Sequence, residues 1–310
     1  MARRFRFGLQ VSNAPSAQAW RDKARKAEAL GYDVLLMADH FGGQFAIGSA
    51  LAVAAEVTTT LRFGQLVLQN DLRHPAMLAK SVATLDLISD GRFELGLGAG
   101  GSYPPDFDWT GIPFDPGPVR VSRLTETITV LRGLFADGPF SFNGQFFTIT
   151  DYDALPKPVQ KPGPPLLIGA GGKRMIDLAA READIIGLLP AMGPTGDGWA
   201  LDEMTVPGLA AKVERVRAVA GQRFDQIEFN SLTQVLQVTD DRRSAIDALK
   251  PDWQPDSNQW QDSPFLLVGT ADTIADDIRA YRETLGFTYF VLRDSMIDEF
   301  APIIAKLSGA

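Results

Sequence analysis

The chain has 310 residues, with 30 Lys+Arg against 38 Asp+Glu, a formal net charge of −8, two His and no Cys. Without Cys there is no disulfide framework, thiolate nucleophile or zinc–thiolate centre, and two histidines cannot build a multi-His metal site, so no metal is expected. The acidic balance argues against nucleic acid and anionic membrane as partners, and 45% hydrophobic with 22% charged residues is a globular composition.

No apolar run approaches the roughly 18 residues of a membrane span. The basic start around Arg3–Arg6 is not followed by an apolar signal region, because Gln10, Ser12 and Asn13 interrupt it. A cytoplasmic protein is expected.

Strand and helix patterns then alternate to the end. Phe5–Val11 reads as the first strand. Ser16 suits the N-cap of a helix with Trp20, Ala24, Ala27 and Leu30 at helical spacing, closed by Gly31. Asp33–Ala38 is a continuous apolar run, as a parallel strand covered on both faces requires. A helix over 47–58 leads to a third strand at Leu61–Leu68, and Pro75 starts a helix that runs to Ser89. The fourth strand is Arg92–Leu97, followed by a Pro/Gly/aromatic stretch, Gly98–Pro118, and a helix over Val119–Ala136. Phe140–Ile149 carries Asn143-Gly144, a hairpin signal. Leu166–Gly169, Met175–Glu182, Asp184–Leu189 and Val206–Ala220 give two further strand–helix pairs. Ile227–Val238 is a seventh strand, and Asp240–Ser263 a polar insertion before a helix from Thr270 to Leu285. Thr288–Arg293 and Ile297–Leu307 close the series.

Eight pairs without a composition break indicate one α/β domain over residues 1–310, a (β/α)₈ TIM barrel with insertions after strands 4, 6 and 7. Those insertions fall in strand-to-helix loops, where barrel active sites are built.

Five features could carry chemistry. His40, in Asp39-His40, follows the second strand; it is either a proton-transfer group at the barrel mouth or a hydrogen-bonding partner for a helix end. His74 directly precedes Pro75, which favours a capping role. Gly96, Gly98, Ala99, Gly100 and Gly101 either let a flat ligand approach the backbone or meet a turn's need for positive φ. Gly169, Ala170, Gly171, Gly172, Lys173 and Arg174 join a strand to a helix, a natural phosphate cradle. Tyr103, Phe107, Trp109 and Phe114 form either an apolar lid or core anchors. No Gly-x-Ser-x-Gly elbow, Walker A loop or carboxylate pair stands out, which suits a cofactor that brings its own chemistry.

At residues 29–41 (ALGYDVLLMADHF), 73–80 (RHPAMLAK), 83–86 (ATLD), 89–100 (SDGRFELGLGAG), 111–116 (GIPFDP), 168–175 (IGAGGKRM) and 268–270 (VGT) the chain resembles the bacterial luciferase-like flavin enzymes, in their coenzyme F420-dependent actinobacterial branch. The matching segments span nearly the whole chain in the family's order. The resemblance implies a homodimeric (β/α)₈ barrel with a flavin-type ring at the mouth and a small-molecule substrate. It implies a non-proline cis peptide within Leu66–Gln69, and a ring held by Leu66, Val67, Gln69, Asn70, Gly98, Ala99 and Gly100. It lines the site with Asp39 and His40 and sets Gly169–Lys173 against the cofactor's phosphate side; on that footing His40 is expected to transfer the proton, Asp39 either to orient it or to cap the next turn, and Lys173 and Arg174 to meet the phosphate. In the family's sugar-phosphate dehydrogenases a Trp and a Glu stand where this chain has Gln44 and about Gly101, which argues against that substrate. The expected activity is F420-dependent hydride transfer to or from a small organic molecule. The alternatives are an FMN-dependent monooxygenase fed by a separate reductase and a non-catalytic flavin-binding protein.

Overall fold

The computed structural model describes residues 3–100, 105–191, 200–253 and 262–309. In chain order the elements are β1 (Arg6–Val11), α1 (Ala17–Ala29), β2 (Val34–Met37), α2 (Ile47–Glu56), β3 (Arg62–Gln65), β4 (Leu68–Gln69), α3 (Pro75–Ile88), β5 (Phe93–Gly98), α4 (Pro105–Thr110), α5 (Gly117–Phe135), β6 (Phe140–Asn143), β7 (Thr148–Tyr152), β8 (Leu166–Ala170), α6 (Lys173–Glu182), β9 (Ile185–Leu188), α7 (Val206–Ala220), β10 (Glu228–Leu232), β11 (Val235–Val238), α8 (Arg242–Trp253), β12 (Leu266–Gly269), α9 (Ala271–Leu285), β13 (Phe287–Arg293) and α10 (Ile297–Leu307).

The main sheet runs β3-β2-β1-β13-β10-β9-β8-β5-β4, and a β3–β5 pairing joins its ends. β3 and β4 are two halves of one barrel strand, each paired in parallel with β5. The fold is therefore a closed eight-stranded parallel barrel with helices between the strands. The apolar runs read as doubly covered strands are buried throughout: β2, β5 and β9 have no exposed position.

The helix boundaries follow their caps. Ser16 Oγ accepts from Ala19 N (3.1 Å) and Thr270 Oγ1 from Thr273 N (3.1 Å). α9 ends on Gly286, whose φ of 77° a side chain would resist.

Three sequence expectations need correction. The seventh strand is two strands: β10 belongs to the barrel, whereas β11 pairs with β12 in a separate two-stranded parallel sheet. The 240–263 insertion contains a helix, α8. Between that insertion and the helix that Thr270 caps, where no strand is expected, Leu266–Gly269 is the strand β12. The small sheet has its own apolar cluster of Ala245, Ile246, Leu266 and Val268.

The chain groups into two compact units. One takes Ser12–Lys26 and Leu35–Gly169, the other Met1–Val11, Ala27–Val34 and Ala170–Ala310. In the first, Phe63, Phe93 and Phe107 are fully buried. In the second, Phe287, Tyr289, Phe290 and Phe300 are, with Phe7 edge-on to Phe300 at 5.5 Å. Each such ring contributes roughly 1.5–3 kcal/mol by leaving water. Among the described residues no helix is long and apolar enough to cross a membrane.

Candidate active site

The first unit brings the ends of β2, β4 and β5 together with the short helix α4. The barrel strand that ends here breaks between Gln65 and Leu68, and the Leu66–Val67 peptide is cis, inside the expected span. Glycine makes room for the break. A Cβ on Gly96 would lie 1.8 Å from Gln65 O, and one on Gly98 would lie 2.7 Å from Val67 Cγ2. Gly100 has φ +73°. Gly96 and Gly98 thus serve the close approach of the two strands, and Gly100 a turn.

His40, with its side chain 29% exposed, sets Nδ1 2.6 Å from Oδ2 of Asp106. Asp106 is completely buried. It also accepts from Phe41 N (2.9 Å) and from Gln69 Nε2 (2.7 Å). Burial pushes the Asp106 carboxyl upward, but the hydrogen bonds from Phe41, His40 and Gln69 outweigh it and hold the carboxyl below its usual range. Asp106 is therefore an anion, and an anionic carboxylate can only accept. His40 Nδ1 must carry a proton. The neutral ring then has its lone pair on Nε2, and the charged ring has its transferable proton there.

The expectation that Asp39 orients His40 is corrected by this geometry. Arg73 grips both Asp39 oxygens (2.6 and 3.0 Å), and Asp39 Oδ2 also accepts from Gln69 N (2.9 Å). Asp39 pins the backbone just beyond the cis peptide, while Asp106 holds the imidazole. Asp106 went unrecognised in the sequence because it sits in a Pro-Pro-Asp-Phe-Asp-Trp run that reads as loop. The available signal was Pro105 at a first helical position with Asp106 and Asp108 in the same first turn.

Gln69 and Asn70 are 5% and 2% exposed. Gln69 Nε2 donates to Asp39 O (2.7 Å) as well as to Asp106, and Asn70 Nδ2 to Asp71 Oδ1 (3.2 Å). The side-chain oxygens of both residues are buried without a hydrogen-bond partner. Ala99 is held by Arg120, which donates to Ala99 O and Asp115 O (2.9 Å each). Arg123 bridges Asp71 (2.5 Å) and Asp115.

His74 is a cap: its Nδ1 accepts from Ala76 N (3.2 Å), and its ring meets Phe147 edge-on. The aromatic residues after β5 divide. Phe107 is a buried anchor against Phe114 at 4.7 Å, whereas Trp109 is exposed. Gly101 and Tyr103 lie outside the described residues.

Gly169 closes this unit, 3.5 Å from the Val67 methyls at its Cβ position. In the second unit, Ala170 ends β8, and Gly171 and Gly172 lead into α6 with the Lys173 and Arg174 side chains exposed. Lys212, 7% exposed, donates to Gly171 O (2.6 Å) and pairs with Glu203 (2.8 Å). Glu203 in turn accepts from Ala191 N (2.6 Å). The turn is braced by an ion pair between buried Lys212 and half-buried Glu203 that the sequence did not advertise.

The chain matches the family model described as luciferase-like monooxygenase over residues 3–288, and it belongs to that family. It spans about half the length (54%) of the first curated relatives it matches, uncharacterized proteins of Mycobacterium tuberculosis and Mycobacterium bovis, at 32% identity over 174 residues. It is 26% identical over 302 residues to an F420-dependent glucose-6-phosphate dehydrogenase of Beutenbergia cavernae, covering 89% of this chain and 87% of that one. It is 28% identical over 227 residues to an FMNH(2)-dependent dimethylsulfone monooxygenase of Pseudomonas putida, covering 69% and 58%. Its fold matches the coenzyme F420-dependent tetrahydromethanopterin reductase of Methanopyrus kandleri with a TM-score of 0.78 and 18% identity, over 98% of both chains.

Proposed function

We propose that the protein is an F420-dependent oxidoreductase that moves a hydride between the deazaflavin coenzyme and a small organic substrate. The observation that carries the reading is the His40–Asp106 contact of 2.6 Å, within a buried network that fixes which imidazole nitrogen handles protons. A general acid–base group of this kind contributes roughly 10²–10⁴ in rate.

The residues around it fit a flavin-type ring. Gln69 Oε1 and Asn70 Oδ1 are buried acceptors without partners, which a ring bearing N–H donors would satisfy. Leu66, Val67, Gln69, Asn70, Gly98, Ala99 and Gly100 would hold it. When bound, the ring supplies the hydride acceptor or donor. The chain supplies the proton: with Nδ1 tied to Asp106, His40 takes a proton at Nε2 from a substrate hydroxyl or returns one to a carbonyl oxygen. Asp39 and Arg73 keep the 66–69 backbone in place. Separately, Gly169–Arg174 is proposed to take a phosphate group of the coenzyme through backbone N–H groups, Lys173 and Arg174.

The F420-dependent relative, aligned over 89% of the chain, supports the deazaflavin; the FMNH(2)-dependent relative supports FMN as the second reading. Titrating the purified chain with F420 and with FMN separates them. Tight F420 binding with substrate-dependent reduction supports the proposal. FMN binding alone overturns it for the monooxygenase reading, and tight binding without hydride transfer overturns it for a carrier. A cytoplasmic homodimer is part of the proposal, and light scattering at the mass of one chain would contradict the dimer.

A further inference from the structure

We infer that the side-chain oxygen of Gln69 reads an N–H donor on the cofactor ring, which makes Gln69 a specificity-determining residue of this site. The inference rests on the proposed reading that a flavin-type ring binds at these strand ends.

Three observations on one side chain lead there. First, the amide cannot be turned round. Its Nε2 lies 2.7 Å from Asp39 O and 2.7 Å from Asp106 Oδ2. Both partners are acceptors, a main-chain carbonyl and an anion, so reversing the amide would set oxygen against two oxygens. Secondly, the residue cannot move away as a whole. Its N–H is held by Asp39 Oδ2 at 2.9 Å, and Arg73 clamps that carboxylate at 2.6 and 3.0 Å. Thirdly, the oxygen so presented is buried, without a hydrogen-bond partner, in a residue 5% exposed. Native proteins rarely leave such an acceptor unmet, and one that is rigidly held is preorganised for a ligand's donor.

The space beside it is kept open. The position a Cβ would take on Gly100 lies 3.3 Å from Gln69 Oε1, and the φ of +73° there discourages any side chain. Oxidised flavin and deazaflavin rings carry one N–H, the imide, between two carbonyls. Among the ring nitrogens only this one carries a hydrogen that can satisfy Oε1. A substrate hydroxyl offers similar chemistry, and the experiment has an arm for it.

The test measures affinity by fluorescence quenching for F420, for FMN, and for each methylated on its imide nitrogen. With wild-type chain, methylation is expected to weaken the bound cofactor about tenfold, the loss of one hydrogen bond. Gln69→Met should lose about tenfold for the unmethylated cofactor and no longer distinguish the methylated form. The wild-type comparison alone decides the matter if the variant does not fold. Equal binding of both forms by wild-type chain overturns the inference, as does retained discrimination by Gln69→Met. Unchanged cofactor affinity with a raised KM for an alcohol substrate assigns the donor to the substrate and overturns it too. Failure of wild-type chain to bind any of the four overturns the reading of the site itself.

Discussion

Replacing Asp106 with Asn removes the charge at the centre of the site with almost no change of shape. The carboxylate accepts from Phe41 N–H, His40 Nδ1–H and Gln69 Nε2–H in a fully buried position. An amide has one oxygen for those donors, and its NH₂ must face at least one of them. Hydrogen bonds to a charged group contribute about 1.5–3 kcal/mol each, and a buried donor left unmet costs about 1–3 kcal/mol. The expected destabilisation at pH 7 is therefore about 2–4 kcal/mol, measured as the difference in urea unfolding between wild-type chain and Asp106→Asn. Its pH dependence has a definite sign. Hydrogen bonding outweighs burial and holds the Asp106 carboxyl below its unfolded value. Its stabilisation is thus complete above the ordinary Asp range near pH ~3.9 and is lost as pH falls through the lower folded value. The gap between the two proteins should narrow at pH 3. A difference under about 0.5 kcal/mol at pH 7, or a gap that widens in acid, would refute the argument.

Three further outcomes are expected. His40→Ala should cut F420-linked turnover of a panel of small alcohols and conjugated carbonyl compounds by roughly 10²–10⁴ while cofactor affinity changes less than about threefold; unchanged turnover removes the proton role. Gly98→Ala places a methyl 2.7 Å from Val67 Cγ2, and overpacking of that kind costs about 1–3 kcal/mol, readable as a lower urea midpoint. Lys212→Met leaves Gly171 O and Glu203 without their buried cation; it should lose about 2 kcal/mol in unfolding and weaken F420 binding, with FMN binding less affected if the turn serves the longer coenzyme's phosphate.

Much of this architecture is legible in the residues alone, for physical reasons that can be named. Doubly covered parallel strands announce themselves as unbroken apolar runs such as 34–37, and Ser16, Thr270 and Gly286 mark helix ends by chemistry that only those positions need. The break in the third barrel strand is hidden because Leu66, Val67 and Leu68 are as apolar as an uninterrupted strand. The β11–β12 sheet is hidden because Val235 follows β10 after only two residues, so one strand and two give the same pattern. At the site, Asp39-His40 drew attention as adjacent polar residues after a strand, yet neighbours in sequence point different ways. Asp39 turns to Arg73, and the carboxylate that meets His40 comes from 66 positions later. Asp106 and Asp108 look alike as letters, and only packing buries the first and exposes the second.

With Asp106 an anion, the proton of the neutral His40 ring sits on Nδ1, and the proposed proton exchange with a bound molecule falls to Nε2. Nitrogen-15 NMR of the histidine side chains tests it directly, and with only two histidines in the chain the His74→Ala variant assigns the signals. The neutral ring of His40 is expected in the Nδ1–H form in wild-type chain and as a mixture in Asp106→Asn. A neutral His40 protonated on Nε2 in wild-type chain would rule out an Nδ1–H held by an anionic Asp106.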